Sequence, residues 1–130
     1  MSAPSFEHIT SEAVVSTYKS ASSIFSGLLK EVRELSRKKP EASMSPGKVK
    51  LVNRVLTDLL SFLKDEPEGK YLEELDDETL PQMSDALLVM VQFDTALNSF
   101  KNRYQKYDSM SREHHWITSE YVAGQTKRRR

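Results

Sequence analysis

From Val14 onward the apolar positions Val14, Tyr18, Ala21, Phe25, Leu28, Val32 and Leu35 recur in alternating steps of four and three. This is the seam of an α-helix, because strands alternate every second residue. Thr10 or Ser11 offers a capping hydroxyl, and Glu12 a carboxylate suited to the positive helix end. Arg37, Lys38 and Lys39 complement the other end and Pro40 stops it, so a first helix is predicted over about Ser11 to Lys38. Its small residues, from Ser16 to Gly27, either admit a neighbouring helix or face water.

Ser45 followed by Pro46 reads as a cap and a first-turn proline, whose missing N–H costs nothing there. Val49, Val52, Leu56, Leu59 and Leu63 then repeat in steps of three and four, and Val55, Leu60 and Phe62 widen the stripe. A second helix is predicted over about Pro46 to Lys64, ended by the turn residues Asp65 to Gly69. Tyr71 to Leu75 is expected to form one short helical turn. The third seam is the longest: Met83, Ala86, Met90, Phe93, Leu97, Phe100, Tyr104 and Tyr107, with Pro81 in its first turn and Thr79 as a cap. After Tyr107 the pattern turns ragged. Met110, Ile117 and Tyr121 form a different stripe, which implies a break near Asp108 to Ser111 or an extension facing something new. Gly124 is the expected terminator.

Glycine is scarce and no hairpin dipeptide separates alternating runs, so no strand is predicted. The fold class read from the pattern is all-α: an antiparallel helical bundle of three long helices plus a C-terminal helical segment. One domain over 1–124 is expected, followed by a basic disordered tail at 125–130.

Composition changes the picture mainly by exclusion. The 130 residues carry 19 basic and 19 acidic side chains, a formal net charge of zero, which argues against bulk binding of nucleic acid or membrane surfaces. With no cysteine there is no disulfide or thiolate metal site, in keeping with a cytoplasmic chain. Met1 to Thr10 lacks the charge and apolar run of a signal peptide. The greasiest window, Ala86 to Phe93, is too short to span a bilayer, so no membrane role is expected.

Reactive chemistry is equally poorly provided for. The four glycines are at least 20 residues apart, which removes a phosphate-cradling loop. No glutamate has a histidine three residues on, as a di-iron bundle requires. His114 and His115 are adjacent and would point about 100° apart on a helix, whereas a zinc pair needs one face. Neither a nucleophile elbow nor an acid pair beyond ordinary helix charge is present. Met83 and Met90 would suit a cofactor cavity, but such stripes usually build plain core. The expectation is no enzyme, no metal and no cofactor.

Two charged features remain. Between Lys64 and Thr79, Asp65, Glu66, Glu68, Glu73, Glu74, Asp76, Asp77 and Glu78 stand against two lysines, a net of −6. Such a run is ordinarily a solvated loop beside a helix start, while Tyr71, Leu72 and Leu75 within it keep an acidic docking segment in view. The opposite end is basic: Arg103, Lys106, Arg112, Lys127, Arg128, Arg129 and Arg130, interleaved with histidines and aromatics, resemble a small nucleic-acid footprint. Trp116, the sole tryptophan, either packs a fourth helix onto the bundle or anchors a partner.

The third seam from Met83 to Tyr107 would run about 36 Å and outreach the second helix. Phe100, Tyr104, Tyr107, Trp116, Ile117 and Tyr121 therefore form the candidate partner interface. The function expected is protein–protein interaction, as an accessory subunit, adaptor or inhibitor-like regulator. The partner is another protein or a second copy in a homodimer or higher oligomer. The alternative is a nucleic-acid-associated bundle using the basic end.

Overall fold

The computed structural model describes residues 6–128, in the order α1 (Glu12–Lys38), α2 (Pro46–Leu63), a 3-10 turn (Pro67–Tyr71), α3 (Met83–Tyr104), β1 (Gln105–Asp108), β2 (Glu113–Trp116) and α4 (Ser119–Arg128). The molecule is mainly helical, and the three predicted seams carry its three long helices. Ser11 Oγ accepts the Val14 amide at 3.2 Å and Ser45 Oγ the Lys48 amide at 3.2 Å, so both predicted caps are in place. Thr79 is not a cap. α3 starts later, at Met83, behind Gln82, whose side chain makes no capping bond.

The core is built where the seams meet. Phe25, Met44, Leu56, Leu59, Leu63, Met90 and Phe93 are fully enclosed. α1 packs on both α2 and α3. The loop before α3 is tied to the loop after α1 by main-chain bonds, Met44 N–H to Pro81 O and Met83 N–H to Ala42 O, each 2.8 Å. The helical turn expected at Tyr71 to Leu75 forms earlier, at Pro67–Tyr71, where the proline sets its first turn. Gly69 is required there: a Cβ would stand 2.5 Å from the Leu63 carbonyl oxygen.

The main chain of the acidic segment is anchored to α2 by Asn53. Asn53 Nδ2 donates to the Leu75 carbonyl and Asn53 Oδ1 accepts the Leu75 amide, both at 2.9 Å, beside the buried Leu75 side chain. Replacing Asn53 by alanine is expected to cost about 1–3 kcal/mol, since two part-buried main-chain groups lose their partners. Urea unfolding measures the loss, and faster hydrogen exchange at the Leu75 amide locates it.

An entirely α fold is corrected by the antiparallel hairpin of β1 and β2, which pairs Gln105 with Trp116 and Tyr107 with His114. The third seam breaks at Tyr104, three residues before its last apolar member. The Ile117 amide donates to the Tyr104 carbonyl at 2.7 Å, so the returning chain takes an acceptor at the helix end. The tip is held by Asp108 Oδ1, which accepts the Met110 amide at 2.9 Å, and Arg112 turns the chain at φ 59°. That left-handed position normally announces itself as glycine or asparagine, and here it is an arginine.

α4 continues through Gly124 to Arg128, so Gly124 does not end it and 125–128 are helical instead of disordered. The Arg128 side chain and residues 129 and 130 lie outside the described residues. α4 is joined to the start of α1: Thr10 bridges to Thr118, and Glu120 Oε2 accepts the Glu12 amide at 3.0 Å. No helix among the described residues is long and apolar enough to cross a membrane.

Candidate interaction surfaces

The aromatic end of α3 is largely core. Phe100 is 1% exposed, its ring 5.5 Å from Tyr18, 4.9 Å from Phe62 and 4.7 Å from Tyr104 between centroids. Trp116 lies half-buried on β2, 5.0 Å from Tyr18 and 6.1 Å from Phe100. It packs the hairpin, and not a fourth helix, onto the core. Ile117 is fully buried. Tyr121 on α4 stacks on His115 at 5.2 Å and is half-buried. Of the predicted interface only Tyr107 stands well out, 58% exposed with its ring against His114. Phe100 and Ile117 are therefore unavailable to a partner, because α1, the hairpin and the acidic segment cover the end of α3 that sequence length alone left bare.

The acidic segment and the basic end meet inside the same molecule. Arg103 Nη1 donates to Glu66 Oε1 at 2.7 Å, Arg103 Nη2 donates to Glu68 Oε1 at 2.7 Å, and Tyr104 Oη donates to Glu66 Oε2 at 2.9 Å. The guanidinium hydrogen bond is the main reason the Glu68 carboxyl is held below its ordinary range. Burial, then the bond to Glu66, pushes the Tyr104 phenol up to about 12. Asp76 Oδ1 accepts the Glu78 and Thr79 amides and is lowered by them. Glu74 accepts from Thr57. Asp65, Glu73 and Asp77 are exposed, as is Tyr71, over whose ring Lys70 Nζ sits at 5.1 Å.

The nucleic-acid candidates lie on α3, the hairpin and α4. Arg103 is spent on two carboxylates, Lys106 Nζ donates to the Asn102 carbonyl, Arg112 shapes the hairpin tip and Lys127 lies at the end of α4. The Arg128 side chain, Arg129 and Arg130 lie outside the described residues.

At the hairpin, Ser111, His115 and Asp108 come together. Ser111 Oγ is 3.0 Å from His115 Nε2, and Asp108 Oδ2 is 3.9 Å from the same nitrogen. A nucleophilic relay needs the carboxylate on the other ring nitrogen, so this trio braces a turn. Among the described residues no group of three or more acidic or histidine side chains is placed to hold a metal ion. Met83 and Met90 are packed in the core. A pocket of about 540 Å³ lies between the start of α1, the hairpin and α4, with Glu12, Lys19, His114 and His115 in its lining.

The surface that sequence reasoning missed is on the other side of α1. Ile24, Leu28, Leu51 and Val55 line an open trough of about 570 Å³ between α1 and α2. A second hollow of about 160 Å³ shares Leu28 and Leu51 with it and carries the apolar lining on to Leu35. Ile24 is 60% exposed and Leu51 52% exposed. The signal was present in the sequence. Ile24 and Leu51 are apolar residues on helices whose seams do not include them. Comparison of the chain with protein-family models, curated proteins and solved structures finds no match.

Proposed function

We propose that the chain is a non-enzymatic protein whose work is protein–protein interaction, as an accessory subunit, an adaptor or an inhibitor-like regulator. On this reading the three long helices form an antiparallel bundle that presents a rigid face. The observation that carries it is the α1–α2 trough, where Ile24 and Leu51 are each more than half exposed beside Leu28, Val55 and Leu35. A contiguous apolar strip rimmed by charge marks an association site on a folded protein, whereas scattered surface leucines do not. Arg54 and Asp58 on α2 supply such a rim.

The experiment is site-specific photo-crosslinking in living cells. A photoreactive residue in place of Leu51 is expected to give protein adducts, and the same group in place of Asn98, exposed on α3, is expected to give none. No adduct at position 51, or equal adducts at both positions, overturns the reading.

A further inference from the structure

We infer that the apolar face bordering the trough is covered by the same face of a second copy of this chain, the two α2 helices running antiparallel across a two-fold axis. This rests on the interaction reading above and names its partner. The charges that line the trough and the hollow adjoining it are Arg54 and Asp58 in the first and Glu31 and Lys48 in the second, a balanced set of two signs. A strongly acidic or basic partner gains nothing from a neutral rim, whereas an identical neutral rim can complement itself when its charges are suitably ordered.

The order of the two end charges along α2 is suitable, with Arg54, one residue from position 53, opposed by its own copy near the axis. Lys48, Leu51, Val55 and Asp58 follow one face at helical spacing, and they are symmetric in number about position 53. Lys48 bounds one end of the continuous lining and Asp58 the other. Laid antiparallel on itself with position 53 at the axis, this face sets Leu51 against Val55 of the second copy and Lys48 against Asp58 of the second copy. Each contact then occurs twice, as an isologous interface requires. A parallel arrangement would set Lys48 against Lys48 and Asp58 against Asp58.

The first helix fits the same axis. Leu28 lines the trough together with Leu51 and Val55, so it lies level with the middle of that α2 face and meets its own copy at the axis. Gly27 next to it is exposed, and a Cβ there would meet nothing within 4 Å. The backbone is thus bare where the two α1 helices approach.

The test is sedimentation equilibrium of the purified full chain from about 1 μM to about 1 mM. The wild-type chain is expected to be a dimer in this range and Leu51→Arg a folded monomer by circular dichroism, since position 51 is half in water already. Lys48→Glu and Asp58→Lys are each expected to weaken the dimer about tenfold, because each change turns two symmetry-related attractions into repulsions. Lys48→Glu leaves the fold intact, as a carboxylate three residues after the Ser45 cap suits a helix start. The double variant Lys48→Glu/Asp58→Lys is expected to regain the wild-type affinity.

A wild-type chain that stays monomeric throughout overturns the inference. So does a dimer untouched by Leu51→Arg, or a double variant no tighter than the single ones. A monomeric chain whose position-51 adducts are all to other proteins removes the second copy as occupant and keeps the interaction reading; a monomeric chain with no adducts removes both.

Discussion

Truncating Phe100 to alanine is expected to cost about 3–5 kcal/mol, the usual range for emptying a fully enclosed phenylalanine site. Phe100 touches more than the α3 core. Its ring is shared by Tyr18 of α1, Phe62 of α2, Tyr104 of its own helix and Trp116 of the hairpin. Four separate segments therefore lose a wall at once, and none of them closes the gap without moving its own backbone. A chain of this size has about 5–15 kcal/mol of total stability, so the loss takes a large share of it. Urea unfolding should show a lower midpoint with little change of slope. Trp116, 6.1 Å away, is the natural reporter: its emission should shift to the red in the native baseline as water reaches the indole face. Phe100→Leu should recover most of the midpoint, because it refills volume without restoring the ring contacts. An alanine variant that unfolds with the wild-type midpoint would mean that these rings do not share one core.

The helices were legible because their signals are local. Ser11 and Ser45 cap where the pattern places them, and the three-and-four spacing of Phe25, Leu56 and Phe93 identifies residues that are indeed buried. The hairpin was illegible for two physical reasons. Tyr104 and Tyr107 keep helical spacing across the point where the chain leaves the helix, so periodicity alone runs straight through the break. The turn that closes the hairpin then uses Arg112 at positive φ, a conformation that an arginine in the sequence does not announce. The trough was missed differently. A seam identifies the face that packs, and it is silent about apolar residues such as Ile24 and Leu51 that lie off it. Glu66, Glu68 and Arg103, which the sequence leaves in two separate charged features, meet one another across 35 and 37 residues of chain. Charge runs specify sign, and only the fold decides whether a partner is internal.

Arg103→Ala is expected to be the second most damaging change, at about 2–3 kcal/mol. That is below the ~3–5 kcal/mol of a fully buried broken pair, because the side chains of Arg103, Glu66 and Glu68 keep 19%, 11% and 25% of their surface in water. The loss comes from two carboxylates left facing each other at the end of α3 without the cation between them. Arg103→Lys should recover only part of it, since one ammonium cannot serve two carboxylates as a guanidinium fork does. The sign of the pH dependence identifies the contact. Glu68 is held below its ordinary value of 4.5 in the folded chain, so its contribution is complete above that pH and is lost as the solution becomes more acidic. The wild-type melting temperature should therefore fall on acidification below about pH 5, and the Arg103→Ala chain should fall less, so the two curves converge in acid. On the alkaline side Tyr104 is raised from 10.0 to about 12, so its contribution is complete below pH 10 and is lost as pH rises toward 12. Tyrosinate absorbance should show two phenols titrating late, those of Tyr18, raised by burial, and Tyr104, and Tyr104→Phe should remove one of the two while leaving the convergence in acid intact. If instead the wild-type and Arg103→Ala curves run parallel down to pH 3, the guanidinium does not hold the acidic segment on α3, and that segment is tied to the fold through Asn53 and Thr57 of α2 instead.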